Sequence, residues 1–472
     1  MTAKLHRVVI TGYGAITPLG NTPDAICDAL KNGQTAFECS AHLAGVAQCP
    51  ADFCADTALK GWRHRRYLNR GAAMAVAATK QAVRSAGLQN SIPYNCGVFA
   101  GSGPNLDIGS DFADIQGGNL DQAGLSALWM LRYLPNTAAS AISQMQGAHG
   151  ENMTLGTACA ASLQAIGEAF RRIRYGVMPM ALAGGGDSRL SHGGLLAYAK
   201  AGALAPCSKT KNDGSLPPDQ ACRPFDTSRQ GFVAGEGGAM FVLESLEHAL
   251  ARGVRPLAEV CGYGCSMDGH AMTAPHPEGA YAELAVRSAL NEAGIMPHEL
   301  AAVCAHGTGT PRNDEAEAAM LDRLFAGNTS SPILALKSWT GHCASACGAV
   351  ELAVLLACTG QGFLPAIRNL RLPLIDELSF LTGQQSFSCA QWPLDASKKH
   401  ESATEHNLGL NAVESPSFLS CSSGNGQHNA HNRAQEITTQ GTRSNSHVLL
   451  ESFGFGGQNA ALVVRPFAGS SS

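Results

Sequence analysis

Val8-Val9-Ile10, an unbroken apolar run, is followed by Thr11-Gly12-Tyr13-Gly14, a pattern that predicts a buried strand ending in a Gly-rich turn. From Ala72 to Ala86 alanines recur at helical period and Gly87 closes the run, which predicts a long helix. Strand patterns bounded by glycine return at Gly97 to Ala100 and Met180 to Ala183, with further strand-like runs at Leu257 to Gly262 and Ala301 to Cys304. Helical patterns alternate with them at Ser162 to Tyr175, Leu246 to Arg252, Ala280 to Ala293, Asp314 to Phe325 and Val350 to Cys358. That alternation predicts an α/β fold, helices layered against a largely buried sheet. A break near Gly253-Val254-Arg255-Pro256 divides the chain into an N-terminal half, 1–254, and a C-terminal half, 255–472. The pattern fails in two places. From about Trp392 to His447 the chain turns to Ser, Asn, Gln, Thr, Gly and His, which predicts a long solvated insertion; a smaller polar interruption runs from Pro206 to Gln220.

Composition narrows the class. Of 472 residues 45% are hydrophobic and only 15% charged, with 53 glycines. A charged share so far below the usual ~25% excludes wholesale disorder and implies tight packing and a large subunit interface. The net charge of −4 carries no electrostatic footprint for nucleic acid. Ala349 to Cys358 is the best candidate for a membrane span, but it falls short of ~18 apolar residues and contains Glu351, so no membrane is expected. Lys4, His6 and Arg7 lead straight into the first strand with no signal-peptide core, which makes the cytoplasm the expected compartment. The 16 cysteines sit mostly singly among apolar or small residues and read as reduced thiols.

Four segments join reactive side chains to small residues at the edge of an element. In Gly156-Thr157-Ala158-Cys159-Ala160-Ala161-Ser162 a cysteine precedes an amphipathic helix, whose macrodipole would favour thiolate; a small buried hydrophobe fits the same pattern. Ala305-His306-Gly307-Thr308-Gly309-Thr310-Pro311, with Asn313, Asp314 and Glu317 beyond, puts a histidine at a strand's end, as a site residue or as a capping or core one. Leu336-Lys337-Ser338-Trp339-Thr340-Gly341-His342 again runs strand into turn, before an Ala-rich helix from Ala344. Ser452-Phe453-Gly454-Phe455-Gly456-Gly457-Gln458-Asn459 lets backbone amides approach a ligand, or simply turns between strands.

These four motifs in this order, with the Val8 to Gly20 opening, Arg223-Pro224-Phe225-Asp226, Gly231-Phe232 and Gly235-Glu236-Gly237, resemble the elongating β-ketoacyl-acyl-carrier-protein synthases of the thiolase superfamily. The resemblance covers nearly the whole chain. It implies a thiolase-like layered α/β/α/β/α fold of two similar halves, and decarboxylative condensation of an acyl group with malonyl-acyl carrier protein. By the resemblance Cys159 is the acyl-accepting nucleophile, His306 and His342 the active-site histidines, Lys337 a buried lysine and Glu317 its partner acid. Thr308 and Thr310 match positions that hold the phosphopantetheine arm. Phe455 matches the gating aromatic, whose amide joins that of Cys159 in the oxyanion hole. Acyl carrier protein is the implied partner, docking on Arg63, Arg65 and Arg66, with Arg171, Arg172 and Arg174 as the next cluster. No cofactor or metal of the protein's own is implied, and a homodimer is expected, with a chain-length-factor-like heterodimer as the alternative.

Other readings fit less of the sequence. A thiolase uses a second cysteine in a Cys-x-Gly motif where this chain has Phe-Gly-Phe-Gly-Gly, and the initiating synthases carry Asn where His342 stands. A non-catalytic partner subunit would lack the nucleophile. A metal-binding module could use Cys421, His428 and His431, or Cys343 and Cys347 beside His342, but their spacings match no paired site well. Departures from the family pattern concern the pathway. The 392–447 insertion replaces a short turn, Gln458 stands where Thr is usual, and the stretch between Gly101 and Thr154 is atypical around Leu131 to Gln146. A specialised type II pathway, aryl-polyene or another polyketide, is therefore as compatible as fatty-acid elongation.

Overall fold

A computed structural model describes residues 5–89, 92–106, 128–208, 216–326, 331–392 and 446–468. The predicted 392–447 insertion lies outside them except at its ends, as does the middle of the 206–220 interruption. In chain order the strands are β1 Val8–Ile16, β2 Glu38–Cys39, β3 Ala47–Cys49, β4 Gly97–Gly101, β5 Asn152–Leu155, β6 Met180–Ser188, β7 Ala234–Ser245, β8 Ala258–Met267, β9 Leu300–Cys304, β10 Ile333–Leu334, β11 Phe363–Leu364, β12 Gln385–Ser386, β13 His447–Gly454 and β14 Gln458–Pro466.

Ten of these strands form two copies of one arrangement. From the centre outward the first half runs β1-β7-β6-β4-β5 and the second β8-β14-β13-β9-β10, joined where β1 pairs β8 over Val8 to Ile10. In each half the successive pairings are antiparallel, antiparallel, parallel, parallel. Helices match as well. Helix Arg70–Ser85 packs with β4, β6 and β7 in one core, and Ala280–Ala293 with Pro311–Phe325 packs against β9, β13 and β14 in another. Between the half-sheets lie Ala161–Arg174 and Cys347–Gly360, which share the largest core cluster with β1, β7, β8 and β14. The order is helix, sheet, helix, sheet, helix, the layered fold that the motifs implied.

One reading of the opening segment is corrected. Gly12 and Gly14 do not end the strand; β1 continues to Ile16, with a register shift between Ile10 and Gly12. A Cβ at Gly12 would lie 2.6 Å from the carbonyl of Ala82 and from the amide of Ala86, so glycine is what lets helix Arg70–Ser85 lie directly on the sheet. Among the described residues no helix is long and apolar enough to cross a membrane, and the described cysteines are free thiols.

Candidate active site

After β5 the chain turns through Thr157 into a 3-10 turn, Ala158–Ala160, and then into helix Ala161–Arg174. Ala158 takes φ 48°, left-handed backbone that a side chain disfavours, and so projects Cys159 between the layers. Across from it the β13–β14 hairpin lies flush on this turn: a Cβ at Gly454 would be 2.8 Å from the Thr157 carbonyl and 3.1 Å from the Cys159 amide. That close approach brings the Phe455 amide into hydrogen-bonding contact with the Cys159 thiol, while the Phe455 ring stays exposed.

Burial pushes the Cys159 thiol up to about 11, against the pull of Lys337 and the Phe455 amide. The expectation of a resting thiolate is therefore corrected. Cys159 precedes the α-helix by a 3-10 turn, and desolvation of the charged sulfur outweighs what the helix end and the lysine supply. His342 Nε2 lies 3.1 Å from the sulfur. Burial, and then the charge of Lys337, holds His342 well below the usual imidazole range, so the pair at rest is neutral thiol and neutral imidazole.

His306 leaves the end of β9 and stands with its ring 5.4 Å from that of His342, edge to face. Phe453 packs on His306 and Phe232 on His342. Sγ of Cys159 and the ligand-capable nitrogens of the two histidines lie within 4.8 Å of one another, which no other group of three or more His, Cys, Asp or Glu achieves among the described residues. Burial, Lys337 and His342 all hold His306 neutral.

Lys337 is fully buried at the start of the short helix Lys337–Thr340. Its three N–H groups are all used: on His306 Nδ1 at 3.1 Å, on the His306 carbonyl at 2.6 Å and on Glu351 Oε1 at 2.5 Å. Burial opposes its charge, but Glu351 outweighs that and the net shift is upward, so Lys337 is a standing cation rather than a base. Because the ammonium donates to Nδ1, the His306 proton sits on Nε2. His342 Nδ1 is buried without a partner among the described residues, so nothing fixes that ring's tautomer.

The expected pairing of Lys337 with Glu317 is also corrected. Glu317 accepts the amides of His306 at 2.6 Å and Gly307 at 2.8 Å and the Asn313 side chain at 3.1 Å, so it shapes the histidine loop from beneath. The lysine's own donors are already taken, two by His306 and one by Glu351, a carboxylate on helix Cys347–Gly360. Buried Glu451 stands against Glu317; burial and that neighbour push Glu451 well up, so it keeps its proton and donates it to Glu317. Thr308 and Thr310 share a hydroxyl contact of 2.9 Å, and Asp314, fully buried, accepts the amides of Phe225, Thr308 and Gly309.

A cavity of about 510 Å³ opens onto these groups, lined by Cys159, His306, His342, Thr308, Thr310 and Phe455, and also by Asp187, Arg189, Tyr198 and Arg312. Of the arginines expected to dock a carrier protein, Arg63 and Arg66 are exposed and make no ion pair among the described residues, whereas Arg65 is tied to Asp56 at 2.7 Å. Arg171, Arg172 and Arg174 are paired with Glu168, Glu151 and Glu292, which removes that cluster as a basic patch. Cys343 and Cys347 turn to backbone carbonyls of Thr340 and Cys159, and Cys421, His428 and His431 lie outside the described residues. Sequence reasoning missed Glu351, whose signal was a lone carboxylate in an apolar helix. It also missed Asp187, Arg189 and Tyr198, which carried no motif.

The arrangement has close relatives. Residues 5–249 match the beta-ketoacyl synthase N-terminal domain and residues 257–371 its C-terminal domain. A 3-oxoacyl-[acyl-carrier-protein] synthase 2 of Vibrio cholerae is 33% identical over 78% of this chain and 89% of its own. A putative polyketide beta-ketoacyl synthase 1 of Streptomyces halstedii is 32% identical over the same shares, 78% and 89%. The crystal structure of a beta-ketoacyl synthase from Burkholderia phymatum superposes with a TM-score of 0.77 at 28% identity, covering 98% of this chain and 99% of that one. With the duplicated fold and the Cys159-His306-His342 cluster, these matches establish that the chain belongs to the beta-ketoacyl synthase family.

Proposed function

We propose that the protein is an elongating β-ketoacyl-acyl-carrier-protein synthase, an acyltransferase that loads an acyl group on Cys159 and condenses it with malonyl-carrier protein. The observation that carries this reading is His342 Nε2 at 3.1 Å from a buried thiol, beside a second imidazole whose proton is held on Nε2. In the first half-reaction the thiol proton moves to His342 Nε2 as sulfur attacks the carrier thioester, and the amides of Cys159 and Phe455 hold the oxyanion. Collapse expels the carrier thiol, which takes the proton back from His342. In the second, His342 exchanges through water from the Nδ1–H tautomer that served as base to the Nε2–H tautomer, which its Nδ1, unpartnered among the described residues, leaves open. Malonyl-carrier protein loses carbon dioxide, and the Nε2–H groups of His306 and His342 hold the developing enolate oxygen. The enolate carbon attacks the acyl carbonyl on Cys159, the same amides stabilise the new oxyanion, and the Cys159 sulfur leaves as a thiolate that takes up one proton from solvent by way of His342, the proton that loss of carbon dioxide from a carboxylate requires. Lys337 positions His306 and holds both imidazoles neutral, and Glu317 supports the loop. Thr308 and Thr310 hold the phosphopantetheine arm, which arrives with the substrate, so the enzyme needs no cofactor or metal of its own.

Acyl carrier protein is the partner in this reading, met by Arg63 and Arg66, with Phe455 as the gate at the cavity. The open edge of β5 supports pairing with a second copy or with a chain-length-factor-like subunit; a chain with this nucleophile is the catalytic member of either. The halves 1–254 and 255–472 each supply part of the machinery, and the work belongs in the cytoplasm, in fatty-acid or specialised polyketide synthesis. Mass spectrometry of the intact protein after incubation with acyl-carrier proteins tests the reading. A thioester adduct confined to Cys159 and absent from Cys159→Ala is expected; no adduct with any acyl group would overturn it in favour of a non-catalytic partner subunit.

A further inference from the structure

The cavity that holds Cys159 has walls of two kinds. Phe453, Phe232 and Ala344 surround the reacting atoms, but Arg189 and Tyr198 line another part of the same space. Arg189 is 4% exposed. Its Nη2 donates to Asp187 Oδ2 at 2.9 Å and its Nη1 to the Pro104 carbonyl, while Nε is buried with no partner among the described residues. Asp187 Oδ2 also accepts the amide of Ser345 at 3.1 Å and its hydroxyl at 2.7 Å. The guanidinium charge is thus neutralised, and its unbonded Nε is closed off from the cavity as it is from water. Tyr198 packs edge-on against Phe232 at 5.0 Å, and its hydroxyl makes no hydrogen bond with the described residues. Burial pushes that phenol well up, so it stays protonated, and Arg189 and Cys159 are both near enough to act on it.

A saturated acyl chain lying along this wall would shut water away from the Tyr198 hydroxyl and leave that donor unmet, a penalty of about 1–3 kcal/mol. An acyl chain with a carboxylate would bring a second negative charge to an ion pair that is already balanced. A neutral carbonyl oxygen removes the first penalty without incurring the second. We propose that the Tyr198 hydroxyl, beside the balanced Arg189–Asp187 pair, forms a specificity subsite that selects acyl chains carrying a neutral oxo group, a 3-oxoacyl or poly-oxoacyl thioester, over saturated chains of equal length. The proposal rests on the reading of Cys159 as the acyl acceptor.

The test measures initial rates of Cys159 acylation by intact-protein mass spectrometry, with carrier protein loaded with octanoyl or 3-oxooctanoyl groups. The 3-oxo chain is expected to react at least about tenfold faster, which is what about 1.4 kcal/mol of the unmet-donor penalty amounts to. Tyr198→Phe removes only the hydroxyl and keeps the ring against Phe232; it should bring the rate ratio close to one. Equal rates in the wild type, or a ratio unchanged in Tyr198→Phe, would overturn the subsite while leaving the acyl acceptor in place. Failure of both chains to react would overturn the acyl-acceptor reading and the subsite with it.

Discussion

At the scale of single residues the site is organised by one buried charge. Lys337 reaches His306 through two hydrogen bonds and Glu351 through a third, and its charge lowers the Cys159 thiol and both imidazoles. Glu351→Gln should therefore cost about 3–5 kcal/mol in urea unfolding, because it strands a buried ammonium, whereas Lys337→Met with Glu351→Met should recover most of that loss. A single variant within about 0.5 kcal/mol of wild type would refute the pairing. In the double variant the two imidazoles lose the cation that depresses them, so NMR titration should find both moved upward from their wild-type values. The thiol gives a second prediction. With its pKa raised to about 11, alkylation of Cys159 by iodoacetamide should climb about tenfold per pH unit from pH 8 toward 11; a plateau below pH 8 would show a thiolate at rest. Cys159, His306 and His342 were legible because each sits in a distinctive run of small residues. Glu351 was legible only as an anomaly, the one charge in the apolar run Ala349 to Cys358, and no spacing rule links positions 337 and 351.

At the scale of elements, close approach between backbones decides where those side chains stand. Gly454 and Gly12 are both obligatory for packing, but they guard different things. A Cβ at Gly454 would press on the Thr157 carbonyl and the Cys159 amide, lifting the hairpin that carries Phe455. Gly454→Ala should therefore lower kcat/KM for carrier-borne substrate by about a hundredfold or more, the scale of one lost oxyanion donor. Gly12→Ala, which presses helix Arg70–Ser85 off β1, should lower Tm while turnover per folded molecule is kept. Equal loss of activity in both variants would mean that the hairpin has no particular role. Alternation and glycine punctuation located most helices to within a few residues, yet β7 was not seen at all. Ala234–Ser245 is buried along its whole length, so it shows no alternation, and Glu236 and Glu244 give it a polar look although their carboxylates are bound to Arg70 and Arg252. The same blindness applies to Gly12 and Gly14, which signal a turn locally and a helix contact in the fold.

At the scale of the whole molecule, the duplicated sheets bury the two ends of each half against one another, and the low charge content of the sequence is concentrated in a few costly places. Asp314, Glu317, Glu351 and Glu451 are all enclosed, and burial raises every one, Glu317 and Glu351 to about 7 and Glu451 well above its ordinary value. The sign of the consequence follows from where the protons sit. Glu451 keeps its proton in the folded protein, but in the unfolded chain it releases it near the ordinary value of 4.5. Its contribution to stability is complete below about 4.5 and is lost as pH rises toward the folded-state value, at about 1.4 kcal/mol per pH unit. His306 and His342, held neutral, work in the opposite direction below their ordinary value of 6.5, so the wild-type profile alone blends the two effects. Comparison with Glu451→Gln separates them, since the amide can still donate to Glu317 and the histidines are common to both proteins. The stability of Glu451→Gln relative to wild type should rise as pH increases above about 4.5, by up to about 1.4 kcal/mol per pH unit, when both are unfolded in urea across that range. A difference that stays flat would mean that Glu451 is ionised in the fold, and that Glu317 shapes the His306 loop without a proton donated from behind.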